Sequence, residues 1–436
     1  MSKVRLLLRR GRHLGLRWFA PGEVSAQWND WNLYREIAWF GVLSAVSSTF
    51  TSVFALRLGA SDFLVGLLTA MPAAINVIFQ MPAARLVERE PDKRKVLLLS
   101  GFLMRLPACL IALAPFLALR FQAGAVIYIT ALGTIPAAVG SVSFTAMLAD
   151  VVGPKDRARV VSVRNALLST ATTVVVLAAG KALDVLPFPL GYQLIFAVAF
   201  VASLVSLYYL GRVAIPDDGR LQQGRPQHGQ RLDLRRSARM ILAQRDYVRF
   251  SVGSFLYHWG LYFPVPLYTI YRVRTLHLSE GWIGALSMLE SGVTIIAYYA
   301  WGRLTQQRGT RLVLLLGALG VCCYPIGTAL SKSAWPLLAV SVVAGIAGPA
   351  FNLGLFNKLL EVTPADQRAR HVALFNTLMN IPAFVSPLLG TTTAGWLGIR
   401  EALWIGGAAR IAAFLALAYL LSGFLIPRRV VRILGT

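Results

Sequence analysis

Charge is scarce in this chain, and acidic charge is the scarcest. Charged residues make up 14% of the 436 positions, against about 25% in soluble domains. Only 19 acids stand against 43 Lys and Arg, while 56% of the residues are hydrophobic. That balance argues against a set of soluble domains. Cysteine is almost missing too. Cys109, Cys322 and Cys323 all lie in apolar blocks, where they read as packing rather than as a disulfide framework. The five histidines (His13, His228, His258, His277 and His371) are scattered, and neither H-x-x-H nor H-E-x-x-H occurs. No metal site, cofactor or catalytic constellation is therefore expected, and an integral-membrane enzyme is a poor fit. No G-x-x-x-x-G-K-[ST] loop exists, so ATP is not a direct energy source. The N-terminal "MSKVRLLLRRGRHLGLRWF" has no apolar core ahead of a small-residue cleavage site. It reads as a basic amphipathic segment on an anionic membrane surface rather than a signal peptide.

Long uncharged apolar runs are abundant instead. "VIYITALGTIPAAVGSVSFTAML" and "LVLLLGALGVCCYPIGTAL" carry no charge over 23 and 19 residues, and about 20 apolar residues cross a bilayer core as a helix. The pattern predicts an all-α membrane protein with twelve spans near 36–57, 62–84, 96–119, 124–150, 160–182, 190–211, 247–271, 281–302, 312–331, 335–360, 371–394 and 401–425. Twelve spans put both termini on one side. Of the 43 basic residues, 34 fall in segments on that side and 7 on the other. The excess marks that side as cytoplasmic, and the expected location is the inner membrane. The net charge of +24 thus sits between apolar blocks and does not indicate nucleic acid. A Pro-, Gly- and Gln-rich stretch, 215–239, divides the chain at its middle. The expected organisation is a basic segment at 1–35, a bundle at 36–212, a linker at 213–246, a second bundle at 247–427 and a tail at 428–436. "LDLRRSARMIL" in the linker suits a short surface helix.

The two halves repeat each other. "DVVGPKDRARVVSVRN" (Asp150–Asn165) and "EVTPADQRARHVALFN" (Glu361–Asn376) share an acid followed by Arg157/Arg368, Arg159/Arg370 and Asn165/Asn376, at one constant offset. "ARLVEREPDKRKVLLL" (Ala84–Leu99) likewise aligns with "GRLTQQRGTRLVLLL" (Gly302–Leu316). Parallel six-helix repeats are a transporter architecture. At these residues the chain resembles the major facilitator superfamily over nearly its whole length. The family loop G-x-x-x-D-R-x-G-[RK]-[RK] is approximated by Ala84, Glu88, Arg89, Lys93 and Arg94, and again by Gly302, Arg308, Gly309 and Arg311. The resemblance implies a twelve-helix fold in two pseudo-symmetric bundles. It also implies a cytoplasmic gate made by Glu88, Arg89, Asp150, Arg157, Arg159, Arg308, Glu361, Arg368 and Arg370. Pro154 and Pro364 are expected to stop helices four and ten and set the turns.

The same resemblance places helices 1, 4, 7 and 10 around a central cavity. Polar candidates there are Ser44, Ser48, Thr51 and Ser52, then Thr130, Thr134 and Ser141, then Asn352 and Asn357. Helix seven, "SFLYHWGLYFPVPLYTIY", offers His258, Trp259 and Tyr262. Its Gly260, Pro264 and Pro266 invite a break beside protein or a wet cavity. Tyr268 and Tyr271 read as an interfacial aromatic belt. Three charges lie deep in predicted spans: Arg105, Glu290 and Arg410. Each needs a partner or water. Glu290 suits a protonatable coupling site or an ion pair with Arg410. Helix one shows no deep acid, helix four shows no deep Arg, and helix five lacks G-P-x-x-G-G. These absences count against the sugar–proton and drug–proton types. The leading function is a secondary transporter for a small-molecule substrate, with the proton as a candidate coupling ion. Lipid, amphiphile or drug efflux is the alternative, and a non-transporting sensor is a different class. The bilayer is the expected surroundings, and a monomer is the working expectation.

Overall fold

The computed structural model describes residues 21–89, 93–214, 244–364 and 368–422. Among them every regular element is helical. The first half holds α1 (Pro21–Arg57), α2 (Asp62–Arg89), α3 (Lys93–Leu103, continued by Leu106–Leu113), α4 (Leu119–Val151), α5 (Pro154–Val185) and α6 (Leu190–Gly211). The second half holds α7 (Arg245–Tyr262, continued by Val265–Ile270), α8 (Glu280–Arg308), α9 (Thr310–Leu330), α10 (Ala334–Val362), α11 (Arg368–Leu397) and α12 (Ile399–Ser422). Eleven of these are long and apolar enough to cross a bilayer. The twelfth, α7, breaks at Phe263–Pro264 and ends in a π-turn over Tyr271–Thr275. The chain is a multi-pass membrane protein of the expected class. The expected surface helix in 232–242, the first 20 residues and the tail lie outside the described residues.

Two expectations about helix ends change. The first helix starts at Pro21, not near 36. Its first turns were hidden from hydropathy by Asn29, Asn32 and Glu36, yet all three are buried. Asn29 explains how: its amide donates to the Ala214 carbonyl (2.9 Å) and accepts from the Ala214 N–H (2.8 Å). A polar residue whose partners are internal costs little to bury. Pro154, expected to stop helix four, opens α5 instead, and α4 ends at Val151. At a first helical position the missing N–H costs nothing.

Helices α1–α6 pack among themselves, as do α7–α12. The halves meet chiefly through α2 against α11 and α5 against α8. Moving each helix of one contact by six places yields the other contact, so a pseudo-two-fold axis relates them. Small residues permit this approach, as in membrane helix pairs generally. A Cβ on Gly284 of α8 would stand 2.8 Å from the Val176 carbonyl of α5, and one on Gly180 would stand 2.8 Å from that of Glu280. Gly284→Val should therefore overpack the seam and cost about 1–3 kcal/mol. A melting midpoint in detergent equal to that of the parent would show that the seam is looser than this.

Candidate functional site

Besides a cavity of about 260 Å³ at Arg57 and Glu280, two polar cavities lie between the halves. The first, about 460 Å³, is lined by Asn76, Ser141, His258, Tyr262, Asn352, Phe375, Asn376, Met379 and Asn380, among others. Its walls come from α2 and α4 on one side and α7, α10 and α11 on the other. Four candidates named from the sequence, Ser141, His258, Tyr262 and Asn352, are brought together here. His258 and Tyr262 stand one turn apart on α7, which is why both face the same space. The His258 Nδ1 lies 2.6 Å from the Ser254 carbonyl. A carbonyl only accepts, so Nδ1 donates. No Lys, Arg, Asp or Glu lines this cavity.

The second cavity, about 390 Å³, is lined by Ser44, Ser169, Thr172, Ser287, Glu290, Ser291 and Thr294, together with Leu168. It draws on α1, α5 and α8. Glu290 is its sole charge, among six hydroxyl side chains. Glu290 has no hydrogen bond or ion pair among the described residues, and Arg410 is not its partner.

Arg410 serves a different need. Pro264 has no N–H, so the Gly260 carbonyl four residues earlier lacks its helical donor. Arg410 Nε supplies one at 3.1 Å, while its terminal nitrogens donate to the carbonyls of Leu261 (2.7 Å) and Val321 (2.8 Å). Gly260 is required for this: a Cβ there would lie 2.8 Å from the Arg410 Cα. Arg105 does similar work at the break in α3. There the Arg105 N–H turns to the Phe102 carbonyl (3.0 Å), and its guanidinium takes the released Gly101 carbonyl (2.5 Å).

Arg105 also belongs to a buried cluster that the sequence reading missed. Glu36 accepts from Arg164 at 2.8 Å and from Ser206 at 3.2 Å, with Arg105 at 4.0 Å. Arg164 donates to the Leu33 carbonyl (2.7 Å), and Arg105 to the Ser203 carbonyl (2.8 Å) and the Ser206 hydroxyl (2.9 Å). Phe144 covers Arg164 at 4.6 Å from ring to charge. The cluster ties α1, α3, α5 and α6 together. It also overturns the expectation that helix one carries no deep acid.

The other candidates fall elsewhere. Trp259 packs edge-on against Phe255 and does not line either cavity. Thr130 and Thr134 bond back to their own helix, at 2.7 and 3.2 Å. Ser48, Thr51, Ser52 and Asn357 are outside both linings. Tyr268 and Tyr271 are core residues rather than a lipid-facing belt. Tyr268 packs on Tyr324, and the Tyr271 hydroxyl donates to the Ser331 carbonyl at 2.8 Å. Of the expected gate, Arg159 pairs with Asp30 (2.9 Å) and Asp156 (3.3 Å), both in its own half. Arg157 lies 3.4 Å from the Val152 carbonyl, Glu361 pairs with Lys358 on the same helix, and Arg308 is exposed. The side chains of Glu88, Arg89, Asp150, Arg368 and Arg370 lie outside the described ones.

The ion pairs that join the halves, among the described residues, lie at the end away from the termini. Arg57, ending α1, binds the Glu280 carboxylate (2.9 Å) and the Leu278 carbonyl (3.2 Å). Arg274, ending α7, binds the Asp62 carboxylate (2.5 Å) and the Ala60 carbonyl. Each arginine thus takes an acid, and the carbonyl two residues before it, from the opposite half. The loops match in detail. Ser61 and Ser279 cap α2 and α8 by accepting from Leu64 and Trp282 N–H, and a left-handed residue precedes each, Gly59 (φ 88°) and His277 (φ 48°). Glu280 also accepts from the Tyr192 hydroxyl (2.8 Å), and Asp184 from the Gly281 N–H (3.0 Å). The sequence signal was present as "RLGASD" and "RTLHLSE", an Arg followed within a short loop by Ser and an acid.

Two six-helix bundles enclosing polar cavities at their interface define a membrane transporter fold. The Major Facilitator Superfamily profile matches residues 37–248 and 250–432, and the chain belongs to that family. Curated relatives are more distant. Multidrug resistance protein MdtG of Proteus mirabilis (strain HI4320) is 23% identical over 39% of this chain and 43% of its own length. The class H tetracycline resistance protein of Pasteurella multocida is 28% identical over 24% of this chain and 26% of its own length. The chain thus spans less than half of the relatives it matches. Among solved structures, the nucleoside transporter NupG aligns with a TM-score of 0.67 at 11% identity, covering 91% of this chain and 99% of NupG. A bacterial homologue of the human lysosomal transporter Spinster, inward-facing and unoccupied, aligns at 0.64 with 14% identity, covering 92% and 96%. These likenesses concern the fold alone.

The Glu36 cluster carries a prediction. Glu36→Gln leaves two buried guanidinium groups without their shared counter-charge. Loss of one partner from a buried pair costs about 3–5 kcal/mol. A thermal unfolding midpoint in detergent that stays at the parent value would refute that role.

Proposed function

We propose that this protein is a secondary transporter that moves a small neutral or monocationic organic solute through the interface between its halves. The observation that carries this is the lining of the two interface cavities: amides, hydroxyls, an imidazole, aromatic rings and one carboxylate, with no Lys or Arg among them. Amides and hydroxyls both donate and accept, so they suit an uncharged polar solute. Phe375 and Met379 offer an apolar face beside them. An organic anion would find nothing to neutralise its charge and would meet Glu290. The names of the matched relatives, multidrug and tetracycline resistance proteins, are consistent with organic cargo.

The reciprocal Arg57–Glu280 and Arg274–Asp62 pairs support a state closed at the end away from the termini. Their exposure keeps each one weak, about 0–1 kcal/mol for such pairs, and weak contacts suit a gate that must open. With the positive-inside excess, the closed end faces outward and the termini are cytoplasmic. Transport then proceeds by rocking one bundle against the other about the seams α2–α11 and α5–α8. Glu290, in a hydroxyl-lined cavity and in no salt bridge among the described residues, is the group we assign to proton coupling. A proton crossing about 100 mV releases about 2.3 kcal/mol.

Two measurements test this. In detergent, thermal stability should rise with nucleosides, neutral glycosides or organic monocations and stay flat with dianions. Saturation near 100 times the dissociation constant is worth about 2.7 kcal/mol. Asn380→Leu should weaken the responding ligand by about two- to tenfold, as for the loss of one hydrogen bond. Stabilisation by dianions alone would reverse the charge assignment. In vesicles under an imposed proton gradient, Glu290→Gln should abolish gradient-driven accumulation while leaving exchange of the solute intact. Gradient-driven flux at the parent rate in the mutant would remove Glu290 from coupling.

A further inference from the structure

A further concavity lies away from the interface, between α3 and α4. It holds about 650 Å³ and is the largest of the cavities described. Its walls are almost wholly apolar, including Leu99, Leu103, Leu110, Leu132 and Val139. Several of these are strongly exposed, Leu99 at 55% and Leu132 at 65%. In a bilayer such side chains face hydrocarbon, so the groove opens to lipid rather than to the transport path. The break at Met104–Arg105 shapes it, and the close seat of Pro107 on Gly133, where a Cβ would lie 2.3 Å away, forms its floor.

The groove has a direction. Its single charged wall residue is Lys95, two residues into α3, at the end of the bundle that carries the termini. From there it runs along α3 to Leu110, roughly 22 Å at 1.5 Å per residue. Along α4 it runs from Val139 to Ile129, roughly 15 Å by the same rise. One leaflet of a hydrocarbon core about 30 Å thick has a depth of about 15 Å. The groove therefore spans one leaflet, with a cation where a headgroup sits and apolar walls where a chain lies.

We propose that this groove is a binding site for a bilayer phospholipid with an anionic headgroup, one acyl chain lying between α3 and α4 and the phosphate beside Lys95. An ammonium near the membrane surface favours an anionic lipid by about fivefold.

Native mass spectrometry of the full-length protein tests this with phosphatidylglycerol and phosphatidylcholine of identical acyl chains. The parent should retain phosphatidylglycerol about fivefold more. Lys95→Gln, at an exposed position, should equalise the two lipids. Leu103→Trp should fill the groove and reduce the retention of both. Equal retention of the two lipids by the parent would overturn the anionic assignment. Phosphatidylglycerol retention unchanged in both variants would overturn the site itself.

Discussion

The exchange of arginines between the two halves is the contact on which the observed arrangement turns. Arg57 reaches into the loop that starts α8, and Arg274 reaches into the loop that starts α2. Each loop presents the same three features: a left-handed residue, a carbonyl, and a serine-capped helix beginning with or just after an acid. A self-complementary contact of this kind needs only one loop design used twice, as at a two-fold interface between identical subunits. It brings the helix ends together at one end of the molecule. The glycine-mediated seams of α5 with α8 continue that closure inward. The polar cavities lie deeper along the same interface.

Inside each bundle a second constraint operates. The hydrocarbon offers no hydrogen bonds, so every backbone carbonyl freed by a helix break must be answered from within. Arg410 answers Gly260 and Leu261 where Pro264 interrupts α7. Arg105 answers Gly101 where α3 turns. The guanidinium suits this because its several donors fan out in a fixed plane. These two buried arginines are thus consequences of broken helices. Glu36, shared by Arg105 and Arg164, restores part of the charge balance of these buried arginines in the first bundle. Glu290 stands apart from all of them, among hydroxyls.

Much of the fold was legible in the chain itself, and the reason is local. A span is read from about 20 consecutive residues whose preference for hydrocarbon does not depend on their neighbours in space. The repeat at Asp150 and Glu361 exposed the internal duplication, and "HWGLYFPVP" announced the break in α7. Ser141, His258, Tyr262 and Asn352 could be named because the family resemblance implied which helices line the cavity, and these are polar positions on them. The same rule misled elsewhere. Thr130 and Thr134 are polar yet satisfied by their own helix, and Trp259 turns away from the space that His258 faces. Asn76, Asn376 and Asn380 were overlooked because α2 and α11 were not counted as cavity walls.

Hydropathy and periodicity alone thus determined that this chain crosses the membrane twelve times in two related halves, because each of those features is written in contiguous residues. Which charges meet was decided only in three dimensions. Glu36 stood at the very edge of the first predicted helix, and only its pairing with Arg164, more than a hundred residues away, shows why it is buried. Arg410 found carbonyls rather than the acid expected for it. The ion pairs that join the halves lie at loops whose pairing spans more than two hundred residues. A side chain's partner is set by the packing of whole helices, and no stretch of local sequence records that packing.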